Sequence, residues 1–150
     1  DETCDVARLI AKAVRPFEVM CKSKGIEFVF ESDVDDLVAL FDSERIALVV
    51  YNLLANALKF TEQGSIKISL SLRATLPEKN ICLFVSDSGR GMSEEQLLVV
   101  DKPDQSDGMG LYVVRHIVDH YQGRLWAESS QGEGSVFHIE LPLRQTELAG

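Results

Sequence analysis

The chain has little positive charge and no long apolar run, and each lack removes a class of function. Only 15 Lys and Arg stand against 24 Asp and Glu, a formal charge of −9, and the basic residues are scattered. Broad contact with nucleic acid or anionic lipid needs clustered cations, so neither partner is expected. No stretch approaches the roughly 18 consecutive apolar residues of a membrane span, and no signal peptide precedes Asp1. The initiator Met is missing too, which reads as a segment of a longer protein. The three cysteines, Cys4, Cys21 and Cys82, form no C-x-x-C pair and are odd in number. They read as reduced thiols of a cytosolic protein, with Cys82 in the core, not as a disulfide framework or zinc site.

Several catalytic signatures are missing as well. There is no G-x-x-x-x-G-K-[ST] phosphate loop, no H-R-D with D-F-G, no H-E-x-x-H, and no Ser-His-Asp order. "GMGLYVV" lacks the third glycine of the dinucleotide fingerprint and follows no strand directly.

What remains is one ordinary domain, residues 1–150, with 45% hydrophobic residues. Val6, Leu9, Ile10, Ala13, Phe17 and Met20 recur at helical spacing, with Gly25 as the stop. "IEFVF" and "LVALF" read as strands, and Asp42 is placed to cap a helix over 43–60 whose buried stripe is Ile46, Val50, Leu53 and Ala57. "SIKISLSL" alternates as a half-buried strand, and "ICLFV" returns as a more completely buried one. Ser93 and Gln96 form a capping box, Leu111 to Tyr121 a third long helix, and "RLWAE" with "SVFHIEL" a last hairpin. The order predicts an α+β two-layer sandwich: a mixed, mainly antiparallel sheet of about five strands with three main helices on one face.

The residues that could carry chemistry lie in three clusters. Asn52, Asn56 and Lys59 share one helix face, opposite the apolar stripe. Asparagine is a poor helix-interior residue, so two on one face are either solvated or ligands, Asn56 as an oxygen donor to Mg²⁺ and Lys59 as a phosphate contact. Asp87 ends a strand and precedes Ser-Gly-Arg-Gly; it either caps a turn or accepts from an adenine amino group. Gly108 and Gly110 precede a helix whose N-terminus suits phosphate.

Taken in order, "NLLANALKFT", "DSGRGM" and "GMGL" resemble the N, G1 and G2 boxes of histidine-kinase ATP-binding domains, in the GHKL ATPase class. The approach "DSERIALVVYNLL" and the ending "GSVFHIELPL" are similar to that family too, so nearly the whole chain is covered. The resemblance implies an ATP-binding domain that donates the γ-phosphate to a histidine. Asn56 would hold Mg²⁺, with Asn52 one turn earlier; Lys59 would reach the phosphates, and Phe60 would pack near the base. Asp87 would read adenine, with Gly89 and Gly91 lining its pocket. Gly108 and Gly110 would hold the phosphate turn, and Met92 and Leu111 would be apolar wall. The implied partners are the dimerisation domain that carries the acceptor histidine, in the same parent, and the receiver domain of a response regulator. The implied setting is the cytoplasm, without direct membrane contact by this domain, in a parent that could itself be membrane-anchored.

Two departures matter. The hydrolysing branches of the class carry a glutamate where Asn52 stands, and an amide cannot take a proton at neutral pH, so transfer to histidine is favoured over hydrolysis. The lid between the glycine pairs, Met92 to Asp107, is short and contains no Phe; Lys102 is its only cation, a candidate phosphate contact, among Asp101, Asp104 and Asp107. That short lid supports an alternative, a degenerate domain that acts through protein contacts. His116, His120 and His138 read as residues of polar faces.

Overall fold

The computed structural model of the chain describes residues 2–34, 37–75, 78–101 and 110–143. Its frame is a five-stranded mixed sheet in the order β2-β4-β5-β7-β6. The strands are β2 (Glu27–Ser32), β4 (Ser65–Thr75), β5 (Glu78–Asp87), β6 (Arg124–Ser130) and β7 (Gly134–Pro142). Only β2 and β4 run parallel; the other neighbours are antiparallel. The expected α+β sandwich is present.

One face of the sheet is apolar because the side-chain period of a strand is two. Ile66, Ile68 and Leu70 of β4, Ile81, Leu83 and Val85 of β5, and Phe137, Ile139 and Leu141 of β7 are all buried. The helices α1 (Val6–Ala13), α2 (Arg15–Lys24), α3 (Ser43–Phe60), α4 (Glu94–Asp101) and α5 (Leu111–His120) complete this layer, with α3 central and packed against α1, α2 and α5.

The opposite face is closed by its own side chains. Trp126 stacks on His138 at 4.8 Å and 5°, with the Arg124 guanidinium 4.9 Å over the indole. Lys67 bonds Glu31 at 3.0 Å in the same layer. Cys82 and Phe84 point to this face and are only half-buried. The expectation of a core Cys82 on a more completely buried β5 is therefore corrected: the helices cover the face of Ile81, Leu83 and Val85, and Cys82 lies on the other one.

The N-terminal helical run is two helices, not one. Pro16 lies in the first turn of α2 and has no N–H to continue the ladder of α1, so the chain turns at Val14. The break resets the buried stripe to Val6, Ile10, Val14, Phe17 and Cys21, while Met20, expected inside, is 40% exposed. A short strand β1 (Glu2–Asp5), absent from the pattern reading, pairs with β3 (Val38–Phe41) in a separate two-stranded sheet.

α3 begins as its sequence dictates. The Asp42 side chain accepts from the main-chain N–H groups of Glu44 and Arg45 at 2.9 and 3.4 Å. The Asp42 N–H donates to the Tyr121 hydroxyl at 2.8 Å, which ties the start of α3 to the end of α5.

Candidate functional site

The site grows from the C-terminal end of α3. The last carbonyls of a helix have no intrahelical partner. Here the Arg90 N–H donates to the Phe60 carbonyl at 3.2 Å, so the turn after β5 lies directly on that helix end. Gly89 makes the approach possible, because a Cβ there would run into the same Phe60 carbonyl. Gly91, at φ +71°, faces the Ser130 carbonyl with equally little room. Both glycines thus serve close main-chain packing, one against α3 and the other against the β6–β7 hairpin.

The hairpin holds the turn through hydroxyls. Ser129 Oγ accepts from the Met92 N–H at 2.7 Å and donates to the Gly134 carbonyl at 3.0 Å. It also lies 2.9 Å from Ser135 Oγ. The Gly132 N–H donates to the Arg90 carbonyl at 2.7 Å.

These contacts deliver Asp87, which β5 places between Ile66 of β4 and Ser135 of β7. It is only 7% exposed, and Oδ1 accepts from the Gly89 N–H at 2.9 Å. Burial pushes its pKa above the ordinary 3.8; the main-chain N–H groups of Gly89 and Ser135 and the nearby Thr61 hydroxyl oppose that rise. Thr61, 1% exposed, lies close enough to favour the carboxylate while Oγ1 makes no hydrogen bond of ordinary geometry among the described residues.

Asn56 faces inward despite its place on the polar side of α3. It is 5% exposed, and its Nδ2 is buried without an acceptor among the described residues. Solvation does not explain it, and an unmatched buried amide costs about 1–3 kcal/mol. Asn52, one turn earlier, donates from Nδ2 to the Leu48 carbonyl at 2.8 Å. Its Oδ1 lies 2.6 Å from where a Cβ on Gly110 would stand. Gly110 itself, at φ +67°, occupies the N-cap of α5 without a side-chain cap. The start of α5 therefore lies against the polar face of α3.

Lys59 is exposed at the mouth of a cleft of about 290 Å³ that it lines with Phe60, Glu62, Gln63, Ser88, Gly89 and Arg90. The Arg90 guanidinium stands 4.8 Å over the Phe60 ring, and Lys59 Nζ 5.6 Å from its centre. Met92 and Leu111 are buried, at 4% and 0% exposed. The structure thus joins Phe60 to Gly89 and Asn52 to Gly110. Lys102 and Gly108, with Asp104 and Asp107, lie outside the described residues. Thr61, Ser129 and Ser135 went unread in the sequence, since small hydroxyl residues carry no periodic signal. His116 and His120 are exposed, as expected.

The family model described as histidine kinase-, DNA gyrase B- and HSP90-like ATPase matches residues 41–145. The autoinducer 2 sensor kinase/phosphatase LuxQ of Vibrio cholerae is 32% identical over 151 residues, covering 93% of this chain and 18% of LuxQ. The adaptive-response sensory kinase SasA of Prochlorococcus marinus is 34% identical over 152 residues, covering 94% of this chain and 40% of SasA. The chain thus spans less than half the length of either relative. Among solved structures, the nucleotide-free catalytic domain of histidine kinase ThkA superposes with a TM-score of 0.74 at 29% identity, covering 94% of both chains.

Proposed function

The chain belongs to the histidine kinase-, DNA gyrase B- and HSP90-like ATPases, and from that premise we propose that it is the ATP-binding catalytic domain of a sensor histidine kinase. It passes the γ-phosphoryl group of ATP to a histidine on a dimerisation domain of the same parent, from which a response-regulator receiver domain takes it. The observation that carries the reading is Asp87, a buried carboxylate with one oxygen held by the Gly89 N–H.

Asp87 accepts a hydrogen bond from the exocyclic amine of adenine, in a pocket that Thr61 and Ser135 share. Phe60 packs near the base, Gly89 and Gly91 shape the pocket, and Met92 and Leu111 are its apolar wall. Lys59 and Lys102 contact the phosphates, and Gly108 and Gly110 serve phosphate binding ahead of α5. Asn56 fits a Mg²⁺ site: its amide oxygen is a hard donor, and its buried Nδ2, unmatched among the described residues, marks a polar side chain that packing alone does not explain. Mg²⁺ takes one or two protein oxygens beside phosphates and water, and would neutralise phosphate charge. Asn52 cannot accept a proton from water, so this chain positions a phosphoryl donor and does not activate a hydrolytic nucleophile.

No described helix is long and apolar enough to cross a membrane. The net charge of −9 disfavours anionic surfaces, which agrees with a domain that works in the cytoplasm off the bilayer. The test mixes the chain with γ-labelled ATP, Mg²⁺ and the purified dimerisation domain. Label should appear on that domain's histidine and be lost with Asn56→Ala. Steady phosphate release without any acceptor would instead make the chain a hydrolase.

A further inference from the structure

The two ends of the site are fastened by separate polar networks. Ser129 and Gly132 hold the turn beside Asp87. At the other end, α5 starts against Asn52, and about one turn into α5 stands Arg115. Its Nη2 donates to the Val100 carbonyl of α4 at 3.0 Å and to the Leu125 carbonyl of β6 at 3.4 Å. Nη1 lies 3.9 Å from Asp119 Oδ1, one turn further along α5.

This is an unusual use of an exposed-type residue. The side chain is only 22% exposed, and Nε is buried without an acceptor among the described residues. A solvated guanidinium would leave no donor unmatched, so this one gives up hydration for two main-chain carbonyls. The Val100 carbonyl belongs to the last turn of α4, where acceptors lack intrahelical partners and a cation is favoured. One side chain therefore ties the end of α4 and the start of β6 to α5.

We infer that Arg115 is a positioning residue for the phosphates of ATP: by pinning α5 to α4 and β6, it holds the α5 N-terminus in register with Asn52 on α3. The inference rests on the ATP-binding reading above. Arg115 takes no part in the Ser129 network beside Asp87, so its loss is felt by the phosphates and not by the base.

Adenosine carries the base and ribose without phosphate, and comparing it with ATP isolates that arm. Calorimetric titration of Arg115→Met should show ATP weakened about tenfold and adenosine changed by less than about twofold. Arg115→Lys keeps one charged donor for the Val100 carbonyl and should recover part of the ATP loss. If the Met variant does not fold, the Lys variant decides alone, by the same inequality between the two ligands. Equal weakening of both ligands, or no weakening of either, overturns the inference and leaves Arg115 a scaffold residue. Wild-type protein that binds adenosine as tightly as ATP also overturns it, with the base site intact. Wild-type protein that binds neither sinks the ATP reading itself.

Discussion

Replacing Asp87 with Asn changes one atom type and retains the shape of the side chain, so it isolates the charge. In the wild type Oδ1 accepts from the Gly89 N–H at 2.9 Å, and the Ser135 N–H also favours the carboxylate. On the proposed reading, a hydrogen bond from adenine's amine to this carboxylate would be charge-assisted and shielded from water, since Asp87 is 7% exposed. Such a bond contributes about 1.5–3 kcal/mol, which is about ten- to a hundred-fold in affinity. An asparagine that retains the Gly89 bond must turn its NH₂ toward the ligand, placing a donor against a donor. The assay is calorimetric titration of both proteins with Mg²⁺-ATP, and with Mg²⁺-GTP in parallel. Guanine presents a carbonyl where adenine has its amine. ATP should therefore weaken by that factor in Asp87→Asn, while the ratio of GTP to ATP affinity rises. ATP affinity unchanged within about twofold would refute a base contact at Asp87. Equal loss of both nucleotides would point to collapse of the turn.

Two further outcomes follow from the same geometry. Because burial raises the Asp87 pKa, ATP affinity should begin to fall on acidification at a pH above the ordinary aspartate value of 3.8, and Asp87→Asn should be flat over that window. The free domain responds with the opposite sign. Its native carboxyl holds a proton more tightly than the unfolded chain does, so this group's contribution to stability is full below about 3.8 and is lost as pH rises through the native value. Urea unfolding at a series of pH values should show the wild-type advantage over Asp87→Asn shrinking as pH rises. Separately, Gly89→Ala forces a methyl against the Phe60 carbonyl and should lower stability by about 1–3 kcal/mol. An unchanged urea midpoint would mean that the turn can lift off α3 freely.

What the sequence determined by itself is what local periodicity and capping chemistry encode. The Asp42 cap, α3, the Ser93–Gln96 capping box and the alternating β4 each depend on residues within a few positions, and they appear as read. The motif order placed Asp87 at a strand end and Gly110 at a helix start for the same reason. Tertiary structure decided everything that depends on distant main chain. β1 is four residues whose pairing lies with β3, far along the chain. β5 reads as a more completely buried strand, yet only the face of Ile81, Leu83 and Val85 is buried, because which face of a strand is covered depends on helices elsewhere in the chain. Asn56 looks like a residue of a polar helix face, yet it is buried, because periodicity tells which residues share a face and not what packs against it. The glycines at 89 and 91 were legible as a turn, but their need for bare Cα atoms comes from Phe60 and Ser130, which only the fold brings there. Arg115 is the extreme case: a charged residue on an exposed-looking helix position, held by two carbonyls that no spacing in the chain relates to it.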